Sequence, residues 1–245
     1  MFVVNRGEYG QLRFSTVKAV MVSGLVLSLI TGCAQGLDQR IDRAYRLARN
    51  PTAGNKNRIE ALLKDGDRDL RATALVLMET IDTERARRMA ADALGDPDGL
   101  VRAAAVSVVG ADADATTLPV LIALASDDPV WQVRARVLET IVPSDDPALK
   151  EKFANALSDP IWRVRRAALR AGVGHPGLLP ADRLAELVVS DPDWENRVEA
   201  AHGLGASKDP AAYPALDAAL KDSNEFVRAS AAGEKKALQA AGVVR

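Results

Sequence analysis

Residues 159–169 read Asp-Pro-Ile-Trp-Arg-Val-Arg-Arg-Ala-Ala-Leu, and this stretch contains the pattern that decides the fold. Its aspartate is followed six residues later by an arginine, and the same pair recurs at intervals of 31 or 32 residues. The pairs are Asp65/Arg71, Asp96/Arg102, Asp128/Arg134, Asp159/Arg165, Asp191/Arg197 and Asp222/Arg228. So regular an interval predicts an architecture of repeated units.

Each unit contains two helical segments that flank the aspartate. Proline follows the aspartate in four units. Aspartate is a good N-cap and proline suits the first helical position, so the pattern predicts that each aspartate begins the second helix. The first helix is indicated by apolar residues at three- and four-residue steps, as in 118–124 and 149–157. One such hairpin cannot bury its apolar face alone, so the units are expected to stack into a solenoid.

The aspartate and arginine of one unit are too far apart to act as an acid–base pair. Six residues correspond to about 240° around a helix and roughly 9 Å along it, so the two side chains face away from each other. Stacking would instead bring the arginine of one unit near the turn of the next. We therefore interpret the six pairs as a ladder that ties neighbouring hairpins together.

These units closely resemble HEAT repeats, in the short form known from bilin lyases, over about residues 57–240. The resemblance implies an all-α solenoid of about six helical hairpins spanning residues 57–245. We expect an N-terminal capping helix over residues 37–49 and a loop over residues 50–57. The family implies a fold and says little about function. Iron-binding hydroxylases of similar fold use His-Glu pairs, whereas neither histidine of this chain is followed by glutamate.

The N-terminus has the features of an export signal. Three basic residues precede an apolar run over residues 19–30. Twelve helical residues span about 18 Å, which is short of the roughly 30 Å hydrocarbon core of a bilayer. The run ends in Ile30-Thr31-Gly32-Cys33, which resembles the lipobox of bacterial lipoproteins. This implies a signal peptide over residues 1–32 and lipidation of Cys33, followed by a short tether and the capping helix up to residue 56. The alternative is a chance cysteine after an uncleaved anchor.

Composition excludes several classes of function. The 245 residues carry 32 Lys and Arg against 33 Asp and Glu, so no basic field indicates nucleic-acid binding. One cysteine and two histidines cannot form an intramolecular disulfide or a multi-cysteine metal site. The chain has no glycine-rich phosphate loop and no G-x-S-x-G motif. We therefore expect no catalytic residues, no cofactor and no metal.

Two surfaces are candidates for partner binding. Trp131, Trp162 and Trp194 each lie three residues after their aspartate in consecutive units, so they should form a row. The row could cover the joints between repeats, or it could bind glycan or an extended peptide. Positions seven and eleven after each aspartate share a face of the second helix, which lines the concave side in HEAT-like solenoids. The charged residues there are Glu139, Arg166, Arg170 and His202, although a solvated helix face would look the same.

The function that these features favour is a non-catalytic, lipid-anchored scaffold that binds another protein of the bacterial cell envelope. The alternatives are glycan or small-ligand binding through the tryptophan row, and an enzyme of the bilin-lyase type. In Gram-negative lipoproteins an aspartate after the lipidated cysteine favours retention in the inner membrane. This chain has Ala34 there, which is compatible with the periplasmic side of the outer membrane.

Overall fold

A computed structural model describes residues 33–142 and 146–243 of the chain. The predicted signal segment, residues 1–32, lies outside the described residues. The described part forms thirteen α-helices and contains no strand. The helices are α1 (Cys33–Ala48), α2 (Ala53–Ala61), α3 (Arg68–Ile81), α4 (Thr83–Ala93), α5 (Gly99–Val109), α6 (Leu118–Asp127), α7 (Trp131–Thr140), α8 (Pro147–Ala156), α9 (Trp162–Gly174), α10 (Ala181–Ser190), α11 (Trp194–Ser207), α12 (Tyr213–Ala219) and α13 (Glu225–Ala240).

The helices form six stacked hairpins, which confirms the all-α solenoid. The first helices of the hairpins are α2, α4, α6, α8, α10 and α12, and the second helices are α3, α5, α7, α9, α11 and α13. Each second helix packs against the next along the whole chain, and more extensively than neighbouring first helices pack against each other. The second helices therefore form the inner layer of the solenoid.

The second helices begin three residues after the repeated aspartate, so the prediction that each aspartate is an N-cap is wrong. In α5, for example, Asp98 is the N-cap and accepts a hydrogen bond from the backbone N–H of Leu100. The repeated aspartate two residues earlier, Asp96, instead accepts from the N–H of Asp98 and shapes the turn. In α3, α5, α11 and α13 the side chain of the N-cap residue accepts a hydrogen bond from a backbone N–H of the first turn. In α7 and α9 the N-cap residues are Val130 and Ile161, whose side chains cannot accept one.

The N-terminal end also differs from the prediction. Helix α1 begins at Cys33, so the expected tether over residues 34–36 is already helical. Helix α2 begins at Ala53, inside the predicted loop, because the Thr52 hydroxyl accepts the N–H of Asn55 and caps it. Since α1 packs against both α2 and α3, it takes the place of a second helix ahead of the first hairpin. No helix among the described residues is long and apolar enough to cross a membrane.

One position of each second helix, five residues after the aspartate, is buried in the core of every unit. Five units have a fully buried aliphatic side chain there: Leu70, Val101, Val133, Val164 and Val227. The fifth unit has Asn196, which is also fully buried. Its amide donates to the Trp162 carbonyl at 3.1 Å, whereas its own Oδ1 has no hydrogen-bond partner in the described structure. Burying an amide oxygen in this way lowers stability, and the other units avoid that cost.

Candidate functional site

The ladder is built from arginines that each bridge two consecutive turns. Arg102 on α5 donates from Nε and Nη2 to the two carboxylate oxygens of Asp128, at 2.7 and 2.8 Å. Its Nη1 donates back to the carbonyls of Asp96 and Pro97 in its own unit, at 2.8 and 3.1 Å. One guanidinium therefore forms hydrogen bonds with the backbone carbonyls of the turn before its own helix and with the carboxylate in the turn of the next repeat.

The same bidentate contact joins every pair of neighbouring hairpins. The Nε–Oδ2 distances are 2.8 Å for Arg71–Asp96 and 2.7 Å for Arg102–Asp128, Arg134–Asp159, Arg165–Asp191 and Arg197–Asp222. Within the described residues, Arg228 of the sixth unit pairs with no aspartate and donates to the carbonyls of Asp222 and Ser223 in its own turn. Thus each arginine pairs with the aspartate of the next unit rather than with that of its own.

The ladder also extends into α1, which the sequence reasoning missed. Asp65, the first repeated aspartate, is bound by Arg40 on α1. Arg40 lies 31 residues before Arg71, so the period itself was the available signal. It was overlooked because Ala34 stands where the unit's aspartate would be. Helix α1 is therefore a half-repeat joined to the solenoid by the same kind of contact.

The ladder residues lie largely inside the protein, which strengthens their interaction. The side chains of Asp128 and Asp191 are 1% and 0% exposed. The hydrogen bonds that Arg102 donates to Asp128 raise the pKa of Arg102, against the opposing effect of burial, and those from Arg165 to Asp191 raise the pKa of Arg165 in the same way. Permanently charged guanidinium groups on fully paired carboxylates leave no proton to transfer, so this arrangement holds turns together.

The basic residues of the fourth unit are mostly paired with acids of the fifth. Arg166 contacts Glu195 and lies 3.9 Å from Glu199, and Arg170 contacts Glu199 at 3.2 Å. The Arg170 side chain is still 65% exposed. The charges of these two predicted binding residues are therefore largely neutralised by α11, although Arg170 remains accessible on the inner layer.

The other charged candidates on the inner layer have partners too. Glu139 lies 3.3 Å from Arg136 on its own helix and is half exposed. His202 Nδ1 lies 2.8 Å from Glu234 on α13, and this hydrogen bond raises the pKa of His202 against the effect of burial. The predicted face is also not open throughout, because position seven is buried at Ala72 and Ala135.

The tryptophans form two groups rather than one uniform row. Trp131 and Trp162 are half-buried, and the guanidinium carbon of Arg163 lies 5.4 and 4.3 Å from the centres of their rings. Trp194 is 39% exposed and stacks on Phe226, with ring centres 5.4 Å apart. Sequence reasoning missed Phe226 because it lies four residues after its aspartate instead of three.

No group of three or more His, Cys, Asp and Glu side chains in the described part of the chain is arranged to hold a metal ion. Apart from the Arg136–Glu139 contact within α7, the charged contacts described above join neighbouring units.

Comparison with known proteins places the chain among repeat proteins. A family model for HEAT repeats matches residues 55–141 and 181–238. Its structure is similar to that of YibA from Escherichia coli, with a TM-score of 0.60, 20% identity, and coverage of 82% of this chain and 77% of that one. It is also similar to a HEAT-like repeat protein from Thermococcus onnurineus NA1, with a TM-score of 0.56, 18% identity, and coverage of 84% and 94%. No curated protein matches the chain in sequence.

Removing one ladder arginine should destabilise the protein far more than removing an exposed arginine. We expect Arg134→Ala to lower the free energy of unfolding by about 3 kcal/mol, because it leaves the mostly buried Asp159 without its partner. Arg170→Ala, the matched control on the next second helix, should cost less than about 1 kcal/mol, because the Arg170 side chain is 65% exposed and Glu199 keeps Arg166 nearby. Urea denaturation of both variants measures the difference. Equal losses would show that the ladder does not stabilise the stack.

Proposed function

Because the chain belongs to the HEAT-repeat family, we propose that it is a non-catalytic scaffold that binds another protein and is attached to the bacterial envelope through Cys33. The observation that carries this proposal is the unbroken inner layer of second helices, which offers a long surface built from equivalent positions. HEAT-like and armadillo-like repeats generally bind protein partners on such surfaces. The repeated charged pairs hold this surface in shape.

The exposed residues of the inner layer suit a protein partner. Arg170, Glu139 and Trp194 are exposed there, and arginine and tryptophan are enriched among the residues that dominate protein–protein binding energy. A glycan would need open aromatic faces, yet Arg163 covers part of the rings of Trp131 and Trp162. The observed contacts therefore favour protein over glycan, and the bilin-lyase alternative rests on the repeat resemblance alone.

The position of Cys33 supports direct attachment of the solenoid to a lipid anchor. Helix α1 begins at this residue and is joined to the first hairpin through Arg40 and Asp65. A lipid on Cys33 would therefore bring the solenoid to the membrane surface with no extended linker. With Ala34 as the next residue, we place the mature protein on the periplasmic side of the outer membrane.

The anchor can be tested by acyl labelling in the native bacterium. Cys33→Ala should abolish incorporation of labelled fatty acid and leave a precursor that is longer by 32 residues, because both steps require the cysteine thiol. Ser28→Ala, in the same segment, should leave labelling and processing unchanged. A Cys33→Ala variant with the wild-type mature mass would refute the lipoprotein assignment.

Partner binding can be tested by site-specific photocrosslinking in intact cells. A photoreactive residue at position 170 or 194, on the inner layer, should yield an adduct of one discrete mass. The same residue at position 88, which is exposed on the first helix α4, should yield none. We expect mass spectrometry to identify one envelope protein in the inner-layer adduct. Adducts formed only from position 88, or from none of the three positions, would contradict a scaffold that binds through its second helices.

A further inference from the structure

Arg163 differs from every other arginine of the second helices. In the part of the chain that the structure describes, each of the others contacts a carboxylate or a backbone carbonyl. The nearby Arg166 and Arg170, for example, are held by Glu195 and Glu199. Arg163 is exposed and makes neither kind of contact, and only the two indole rings beside it hold its charge in place.

The two rings prepare this guanidinium for binding an anion. Its carbon lies 4.3 Å from the ring centre of Trp162 and 5.4 Å from that of Trp131, so the group spans two consecutive repeats. A guanidinium that packs on an aromatic ring keeps N–H donors free at its edge, and this edge matches the two oxygens of a carboxylate. Because the rings already restrict the side chain, binding would cost little additional conformational entropy.

The surroundings of Arg163 lack the acids that occur at equivalent positions elsewhere. Two residues after the aspartate, the third and fourth units have Val130 and Ile161, where the other four have aspartate or asparagine. Four residues after the aspartate, the third unit has Gln132 and the fourth has Arg163 itself. At the first turns of α7 and α9, Arg163 therefore carries the one charge that no neighbouring group within the described structure neutralises.

We propose that Trp131, Trp162 and Arg163 form a binding site for an acidic segment of the partner protein. This inference rests on the proposed scaffold function and assigns the contact to the joint between the third and fourth hairpins. A neutral glycan would leave the guanidinium charge unmatched. A single acidic residue of a short peptide can reach Arg163 between the flanking units. A lipid surface fits less well, because its anionic headgroups would also meet Asp98 and Asp193 of those units and be repelled.

The spacing of the rings suggests what the segment looks like. Equivalent positions of stacked helices are about 10 Å apart, and three residues of a polyproline-type chain extend about 9 Å. An extended peptide with an apolar residue at every third position would therefore repeat in step with the hairpins, and one acidic residue between two of these apolar residues would lie beside Arg163. Its carboxylate would bind Arg163 while its apolar side chains contact the tryptophan rings.

Fluorescence anisotropy with designed peptides tests this site in the full chain. The probe is a fluorescein-labelled nonapeptide, Gln-Pro-Leu-Glu-Pro-Leu-Gln-Pro-Leu, compared with the two peptides in which glutamine or lysine replaces the glutamate. We expect the glutamate peptide to bind most tightly, and Arg163→Gln to weaken it at least about tenfold through loss of charge-assisted hydrogen bonds. Arg88→Gln, which removes an exposed arginine from α4, should leave the affinity unchanged.

Charge reversal keeps the test independent of any general damage to the protein. Arg163→Glu should lose the glutamate peptide and gain the lysine peptide, with an unchanged melting curve. Equal affinity for the glutamate and glutamine peptides, or equal binding by Arg163→Gln and Arg88→Gln, would overturn the proposal. So would Arg163-dependent binding to phosphatidylglycerol vesicles without peptide binding. If the inner-layer crosslink persists while the peptides do not depend on Arg163, this site is refuted and the scaffold function stands.

Discussion

The bidentate contact from the arginine of one hairpin to the aspartate of the next is the interaction on which the rest of the structure depends. The same guanidinium also binds the carbonyls of its own turn, so one side chain fixes both the turn and the register between two repeats. Both charges are largely removed from water, and neither can lose its partner without leaving an uncompensated buried charge. Helix α1 is joined to the first hairpin by a simpler form of this contact, from one nitrogen of the more exposed Arg40 to Asp65, so the repeat extends almost to Cys33.

Much of the fold could be predicted because the repeat has a strict period. The interval of the Asp/Arg pairs and the spacing of apolar residues indicated stacked hairpins, and helix geometry excluded pairing within one unit. The helix starts could not be predicted in the same way. An Asp-Pro sequence is typical of a helix N-cap. In this structure, however, the Asp128 carboxylate accepts hydrogen bonds from an arginine of the preceding repeat and from the backbone N–H of Val130. Whether this aspartate caps a helix or shapes the turn before it depends on contacts with another repeat, which a local sequence pattern does not reveal.

The pairing of side chains at the candidate site could not be predicted from the sequence either. The sequence of the fourth unit contains Arg163, Arg165, Arg166 and Arg170 within eight residues. The repeat period identified Arg165 as a ladder residue, but nothing in the sequence showed that Arg166 and Arg170 are paired and that Arg163 is not. Their roles are decided by side chains about one repeat later: Asp191 binds Arg165, while Glu195 and Glu199 bind Arg166 and Arg170. Arg163 is left over because the two glutamates of the next helix are already bound by Arg166 and Arg170. In a repeat protein, a charged side chain that has no partner in the neighbouring unit can therefore indicate a binding surface.

A double-mutant cycle on Arg165 and Asp191 tests the central role of the ladder most directly. The free energies of unfolding of Arg165→Ala, Asp191→Ala and the double variant give the coupling between the two side chains, and the Arg170/Glu199 pair provides the comparison. We expect a coupling of about 2 kcal/mol or more for the buried pair and about 0.5 kcal/mol or less for the comparison pair, whose arginine is 65% exposed. Equal couplings for the two pairs would contradict the role assigned to the ladder.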